Sequence, residues 1–342
     1  MSMTRRAFGA LFGVFAAVPL VAVAPAARAA DPVTLLNVSY DISRELYKDV
    51  NPAFSAWWKA KTGQDVIVNQ SHGGSSKQAS SVLNGLEADV ITMNQSPDID
   101  ILLSRPGLIA PDWREKFPNG AAPYSTVSVF IVRKGNPKRI RDWSDLTGDV
   151  QVIVPNPKTS GNGRYTYLAA WGYGLKQNDG DESKAHDFVK GVFDNVPILD
   201  GGGRGATTSF AQREIGDVLI TFENESAALA AEFGADKFEV VYPSLTIAAP
   251  APVAVVEGVA RARGTLEQAT GYLEFLYTPE AQEIIAGKQF RPSDAEVFAR
   301  HAETFPPIDT LSVETDLGGW EKAQQVHFAD GGLYDKIMAE RR

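Results

Sequence analysis

The residues best placed to do chemistry in this sequence are small, neutral ones at the starts of helices. Pro155 to Trp171 reads PNPKTSGNGRYTYLAAW. The apolar run from Val150 to Val154 reads as a buried strand, and Tyr165, Tyr167, Leu168 and Trp171 have the spacing of one helix face. Between them lie Thr159, Ser160, Gly161, Asn162 and Gly163. Ser160 is a natural N-cap, and Gly161 and Gly163 let another group approach the backbone closely. The first N–H groups of a helix have no partner within it and sit at the positive end of its dipole. The chemistry on offer is therefore anion binding by neutral donors. One such turn is equally a capped helix that binds nothing. The same arrangement recurs, however, at Asp41, at Ser71 to Ser76 and at Gly201 to Gly205. In α/β folds such turns gather at the carboxyl ends of the strands, where ligands bind. Asn94 and Gln95 follow a short strand, Asp89 to Met93, and their amides can donate without adding charge.

Catalytic arrangements find little support. The chain has no cysteine, which excludes disulfides, thiolate nucleophiles and zinc–sulfur sites. His72, His186, His301 and His327 are scattered and lack metal-ligand spacing. His72-Gly73-Gly74 has the look of an esterase oxyanion loop, but no G-x-S-x-G elbow accompanies it. Gly73 to Lys77 lacks the phosphate-loop spacing. No pair of carboxylates stands apart as a division of acid and base roles. The expectation is no catalytic residue, no metal and no cofactor. An exported serine hydrolase using Ser75 or Ser160 near His72 is the alternative from a different class.

Behind these turns is an ordinary globular composition of 342 residues, long enough for about two domains. Residues 1–30 read as a cleaved export signal: Arg5 and Arg6, an Ala-rich apolar run from Phe8 to Ala27, and Ala27-Arg28-Ala29 as a cleavage pattern near Ala29 or Ala30. Thr4 to Phe8 also resembles a twin-arginine signal. The expected location is the periplasm. Net charge is −9, and removing Arg5, Arg6 and Arg28 makes it −9 − 3 = −12. Such a chain does not bind nucleic acid through phosphate contacts, and its overall field repels anions. Any anion site must be built locally from oriented dipoles.

The elements that position the turns follow in order. Leu35 to Tyr40 reads as a strand, Ile42 to Val50 as a helix capped by Asp41, and Asn51-Pro52 as the restart of a further helix that ends at Gly63. Val66 to Val68 is a strand; Ser75 and Gln78 have capping-box spacing ahead of Ala79, Val82 and Leu83. Val127 to Val132, Val196 to Leu199, Asp217 to Phe222 and Glu239 to Tyr242 read as strands. Lys184 to Phe193, Thr207 to Glu214, Leu266 to Leu276 and Pro279 to Ala286 read as helices. Ile247 to Val256 is extended and proline-interrupted, fit to cross between domains. Phe290-Arg291-Pro292 reads as a turn and Trp320 to Met338 as helical.

The segments NVSYDISRELY, QSHGGSSKQA, VRKGNPK, PNPKTSGNGRYTYLAAWG, GGGRGATTSFAQREIGDVLI, LYTPEAQ and GGWEKAQQVHFADGG together resemble the periplasmic sulfate- and thiosulfate-binding proteins of ABC importers. The resemblance covers nearly all of the chain after the signal. It implies an α/β fold, a two-lobed periplasmic binding protein of type II. Each lobe is a mixed sheet flanked by helices, and the ligand lies in the interlobe cleft. Lobe 1 is expected at 31–122 plus 246–305, lobe 2 at 123–245, and a C-terminal helical segment at 306–342. The family's ligand amides carry over to Asp41, Ser75, Gly161, Asn162 and Gly203, with a hydroxyl from Ser160 and with Arg204 beside the site. Sulfate binders also use a tryptophan where this chain has Phe222. They tend to read T-L-A-L-A-Y-D where it reads Thr92 to Asp98, TMNQSPD. Both departures resemble the thiosulfate-binding branch, with Asn94 or Gln95 replacing the lost donor. The resemblance implies a monomer serving an ABC permease and its ATPase, with a molybdate or tungstate receptor as the alternative within the binding class. Hydrogen phosphate brings a proton, which a site of donors alone cannot accept.

Overall fold

The computed structural model describes residues 32–341, so the export signal, the twin-arginine reading and the cleavage site lie outside the described residues. The chain builds two mixed sheets. The first contains β1 (Val33–Tyr40), β2 (Val66–Gly73), β3 (Val90–Thr92) and β10 (Val253–Val255), in the order β10-β3-β1-β2. Strands β1, β2 and β3 are mutually parallel, and β10 is antiparallel to β3. The second sheet runs β12-β9-β4-β7-β5-β6. Its strands are β4 (Tyr124–Arg133), β5 (Val152–Pro155), β6 (Leu199–Asp200), β7 (Val218–Phe222), β9 (Thr246–Pro250) and β12 (Thr310–Leu311), and β8 (Phe238–Val241) and β11 (Arg291–Pro292) also pair with β4. Strands β5, β6 and β7 are parallel to one another, whereas β4 is antiparallel to β7. Since β9 pairs with β4 and β10 with β3, the extended stretch from 246 to 255 does cross between sheets, at Ala251-Pro252.

Each sheet carries its own helices, which gives two lobes. Helix α1 (Arg44–Thr62) buries Leu46, Tyr47, Val50, Phe54 and Trp58, a single stripe against the first sheet and its neighbours. It is one helix, and not two as Asn51-Pro52 suggests. Pro52 lies on the exposed side, where the helix tolerates the loss of one backbone donor. Gly63 ends the helix in the left-handed conformation. Helix α2 (Ser75–Leu83) is capped by Gly74, so Ser75 is its first residue and forms no capping box; Gln78 instead donates to Ser71 Oγ at 3.1 Å. Strand β2 runs on to Gly73, which shortens the expected turn to a single residue. Pro97–Asp100 (α3) and Pro118–Ala121 (α4) are single turns.

Helix α5 (Gly161–Gln177) departs furthest from expectation. It does not bury one face. Every residue from Gly161 to Gly174 is buried, because the second sheet covers one side and the C-terminal segment the other. Tyr165 meets Trp320 edge-on at 5.2 Å, and Tyr167 meets His327, Phe328 and Tyr334. That segment is broken into Gly319–Ala323, a π-turn at Gln324–Phe328, and Leu333–Ala339, in place of one continuous helix. Helices α6 (Glu182–Asp194), α7 (Gly203–Ala211) and α8 (Glu225–Phe233) complete this lobe; α7 begins four residues earlier than the sequence suggests. Strand β6 is shorter and later than expected, and Arg291-Pro292 is a short strand on β4 where a turn was expected. On the first lobe, α9 (Glu257–Arg263), α10 (Leu266–Phe275) and α11 (Pro279–Gly287) follow β10.

Close packing on that side has a direct test. A methyl at Gly271 of α10 would run into the ring of Trp58, which is itself buried against Phe54. Overpacking of this kind costs about 1–3 kcal/mol. Gly271→Ala should therefore lower the melting temperature by several degrees; an unchanged melting curve would show that the Trp58 ring is free to give way.

Candidate functional site

Strands β1, β2 and β3 point their carboxyl ends one way, as do β5, β6 and β7, and the sequence-predicted residues sit at those ends. Asp41 follows β1, Ser75 follows β2 and Asn94 follows β3. Ser160 to Asn162 follow β5, Gly203 and Arg204 follow β6, and Phe222 ends β7. The loop after β5 is folded by Asn156, whose carbonyl accepts the N–H groups of Thr159 and Ser160 and whose side chain accepts that of Lys158. Ser160 has the predicted N-cap role, accepting from Gly163 N–H at 3.4 Å.

The two sets of turns touch. A methyl at Gly74 would lie 2.6 Å from the carbonyl oxygens of both Thr159 and Gly201. One at Gly202 would overlap Asp41 Oδ2, and one at Gly203 would overlap the side chain of Ile42, with Asn162 Nδ2 3.2 Å away. Asp41 bridges the gap: Ile42 N–H donates to its Oδ1 at 3.0 Å, and Arg204 N–H, from the opposite lobe, to its Oδ2 at 3.0 Å. The turn at Asp41 and the starts of α2, α5 and α7 thus converge. Among the described residues, none accepts the N–H groups of Ser75, Gly161, Asn162 or Gly203. These are the first-turn donors that helix geometry leaves unpaired.

Charges around this point are mostly committed. The Arg204 guanidinium turns away, to Glu232 and, at 3.8 Å, to Glu225. Its backbone N–H, and not its charge, reaches the convergence point. Behind the starts of α2 and α5, Asp98 and Arg164 are both buried and face each other electrostatically. Burial raises the Asp98 carboxyl, opposed by Arg164 and by hydrogen bonds from Ser75, Gln95 and Ser76; Arg164 Nε also donates to Pro157 O at 2.9 Å. Burial also raises Asp41, opposed by the amides of Arg204 and Ile42. Glu225 is pushed up to about 7, chiefly by burial, against the Thr207 hydroxyl that donates to it at 2.6 Å and against Arg204.

Other expected groups have definite places. Asn162 Nδ2 donates to Thr221 Oγ1 at 3.0 Å, which ties α5 to β7. Gln95 Nε2 donates to Ser76 Oγ and Asp98 Oδ2 at 3.1 and 2.8 Å, a structural role. Asn94 lies against Gly161. Phe222 is fully buried with its ring 5.9 Å from that of Tyr165. The site is not made of donors alone, because the Asp41 carboxylate lies within it. The hydrolase alternative fails on geometry. Ser75 Oγ contacts Met93 Sδ, Ser160 Oγ serves as a cap, and His72 pairs with Ser39 and Gln70. Burial lowers His72 to about 4. Gly74, Gly202, Asp98, Arg164 and Thr221 went unnamed as site residues by sequence reasoning. Only the two glycines carried a signal, by lying within the Gly-rich turns.

The convergence generates two predictions. Gly74 has an ordinary extended backbone (φ −55°, ψ 132°), so Gly74→Ala adds no backbone strain but sets a methyl against two carbonyls of the other lobe. The variant should show a larger radius of gyration by small-angle scattering; an unchanged value would mean that the carbonyls yield. Glu225 releases its proton near 4.5 when unfolded and near 7 when folded, so its contribution to stability is present below pH 4.5 and lost as pH rises to 7. The effect is at most on the order of 3 kcal/mol. Glu225→Gln should remove this slope, so that the variant's melting temperature gains on the wild type's between pH 5 and pH 8; a constant difference would refute it.

Comparison with known proteins places this geometry. A profile of bacterial extracellular solute-binding proteins matches residues 39–291. A thiosulfate-binding protein of Pseudomonas aeruginosa is 55% identical over 320 residues, 93% of this chain and 96% of that one. A sulfate-binding protein of Escherichia coli is 52% identical over 309 residues, 90% of this chain and 94% of that one. The solved structure of the sulfate-binding protein SubI from Mycobacterium tuberculosis H37Rv superposes with a TM-score of 0.78 at 33% identity, covering 86% of this chain and 98% of that one. With a profile match over most of its length and such identity across nearly all of it, this chain belongs to the bacterial extracellular solute-binding proteins.

Proposed function

We propose that this chain is a receptor that captures thiosulfate or sulfate in the periplasm and delivers it to an ABC permease with its ATPase, without catalysing a reaction. The observation that carries the reading is the meeting of unpaired first-turn amides from both lobes, at Ser75 on one side and at Gly161, Asn162 and Gly203 on the other. Ser160 and the Asp41 turn complete the set, and Arg204 stands behind it. The names of the relatives at 55% and 52% identity point to the same pair of anions.

The physics suits a dianion. A helix start contributes about 0.3–1 kcal/mol to a nearby anion when exposed and up to ~2 kcal/mol when partly buried. Stripping an ion of water costs several kcal/mol, so one helix start cannot hold it and several in a closed site can. We take the lobes as 31–122 plus 246–305 and 123–245, with 306–342 packed across the second, and the working form as a monomer. Hinge motion about the crossing strands would part the touching turns to admit the ligand and bring them together again around it. The segment 1–30 would direct export, with cleavage near Ala29 or Ala30.

A thermal-shift screen of the purified protein tests this. At a hundred times its dissociation constant a ligand adds about 2.7 kcal/mol, worth roughly 5 °C or more in melting temperature for a chain of this size. Thiosulfate and sulfate should each produce such a shift. Hydrogen phosphate should not, because the unpaired amides offer its proton no acceptor and the Asp41 carboxylate is already held by two amides. Shifts from molybdate or tungstate alone would reassign the receptor to those anions, and a shift from phosphate would overturn the donor argument.

A further inference from the structure

We infer that Asn94 sets the choice between thiosulfate and sulfate, its Nδ2 donating to the terminal sulfur of thiosulfate; this rests on the function proposed above. Asn94 is 3% exposed, and its Oδ1 is buried with no hydrogen-bond partner. Among the described residues, none pairs with its Nδ2 either. The orphaned Oδ1 shows that no protein donor engages this carboxamide, and its Nδ2 is left free to donate to a bound acceptor.

Its position supplies the context. Asn94 follows the carboxyl end of β3, and a methyl on Gly161 would overlap its Oδ1. The carboxamide therefore lies directly on the first residue of α5, whose N–H is unpaired. Oδ1 is turned against Gly161, and Nδ2 lies further from it, at 3.1 Å from the methyl position. The other amide and guanidinium side chains near these helix starts are occupied. Gln95 holds Ser76 and Asp98, Asn162 holds Thr221, and Arg204 holds Glu225 and Glu232. Asn94 is the amide donor left over among the described site residues, beside the Ser160 hydroxyl, which accepts from Gly163 N–H and keeps its own proton free.

The chemistry of the two anions says what a free carboxamide is for. Sulfate presents four equal oxygens, which fixed backbone amides can serve. Thiosulfate replaces one oxygen by a larger, softer sulfur on a longer bond, a weaker acceptor in a different place. Backbone amides at helix starts cannot shift to meet it, whereas an unpaired side chain with two free torsions can. Being neutral, Asn94 adds nothing to the general attraction for a dianion, so its effect falls on the odd atom. Phe222, an apolar ring that ends β7, offers that atom no donor of its own.

Calorimetric titration of wild type, Asn94→Ala and Asn94→Leu with sodium thiosulfate and with sodium sulfate tests the assignment. Loss of one hydrogen bond from a neutral donor should weaken thiosulfate about tenfold and sulfate by less than about threefold. The leucine variant keeps the volume without the donor and should show the same selectivity change. Equal weakening of both anions, or none, in a variant that melts as the wild type does would overturn the inference while leaving the receptor reading intact. Wild type that binds neither anion would overturn both.

Discussion

Two backbones from opposite lobes touch where no side chain stands between them, and the rest of the site depends on that contact. Gly74 lies against the carbonyls of Thr159 and Gly201, and a methyl on Gly202 would be 3.4 Å from the Gly74 Cα. A helix begins immediately after each of these loops: α2 after Gly74, α5 after Ser160 and α7 after Gly202. The field of a helix end fades within a turn, so helix starts act together only if they are brought this close. Bulkier residues at Gly74 and Gly202 would leave the same helices and sheets in place with their donors too far apart to share a ligand.

That arrangement resolves the apparent conflict between a chain of net charge −9 and an anion site. Two arginines behind the helix starts are committed elsewhere: Arg204 pairs with Glu225 and Glu232, and Arg164 faces Asp98 electrostatically. What remains is the partial positive charge of unpaired amides. A site of this kind recognises an anion by how many acceptors it presents and where, and is little affected by the sign of the protein's overall charge. A free arginine in the same place would attract any anion and would relax that discrimination.

Most of this was legible because it rests on local chemistry. The Gly/Ser turns, the Ser160 cap and the strand-to-helix order are consequences of a few residues acting on their neighbours, and they appear where the sequence puts them. The failures share one cause. The spacing of Tyr165, Tyr167, Leu168 and Trp171 says that one face of α5 is apolar; it cannot say that a C-terminal segment more than 140 residues later covers the other face. The continuity of α1 through Pro52 depends on which side of the helix meets solvent. Gln95 and Asn94 look equivalent as adjacent amides, and only their partners separate a structural residue from an unoccupied one. The buried Asp98–Arg164 pair has no sequence signal, since its members lie 66 positions apart in different lobes.

Asp41 shows how closure and recognition are joined. Its carboxylate accepts one amide from its own turn and one from α7 across the cleft, so it links the lobes through the same class of donor that the site offers a ligand. Burial nonetheless holds its proton affinity above that of an ordinary aspartate, which means that these amides do not fully replace the water it has lost. The closed arrangement is thus stabilised from within, but incompletely. Under the proposed function, an incoming dianion would meet lobes already able to touch, and its own hydrogen bonds would have to supply only the remainder. A stronger internal bridge would close the protein without any ligand, and a weaker one would charge the full entropic cost of closure against the affinity.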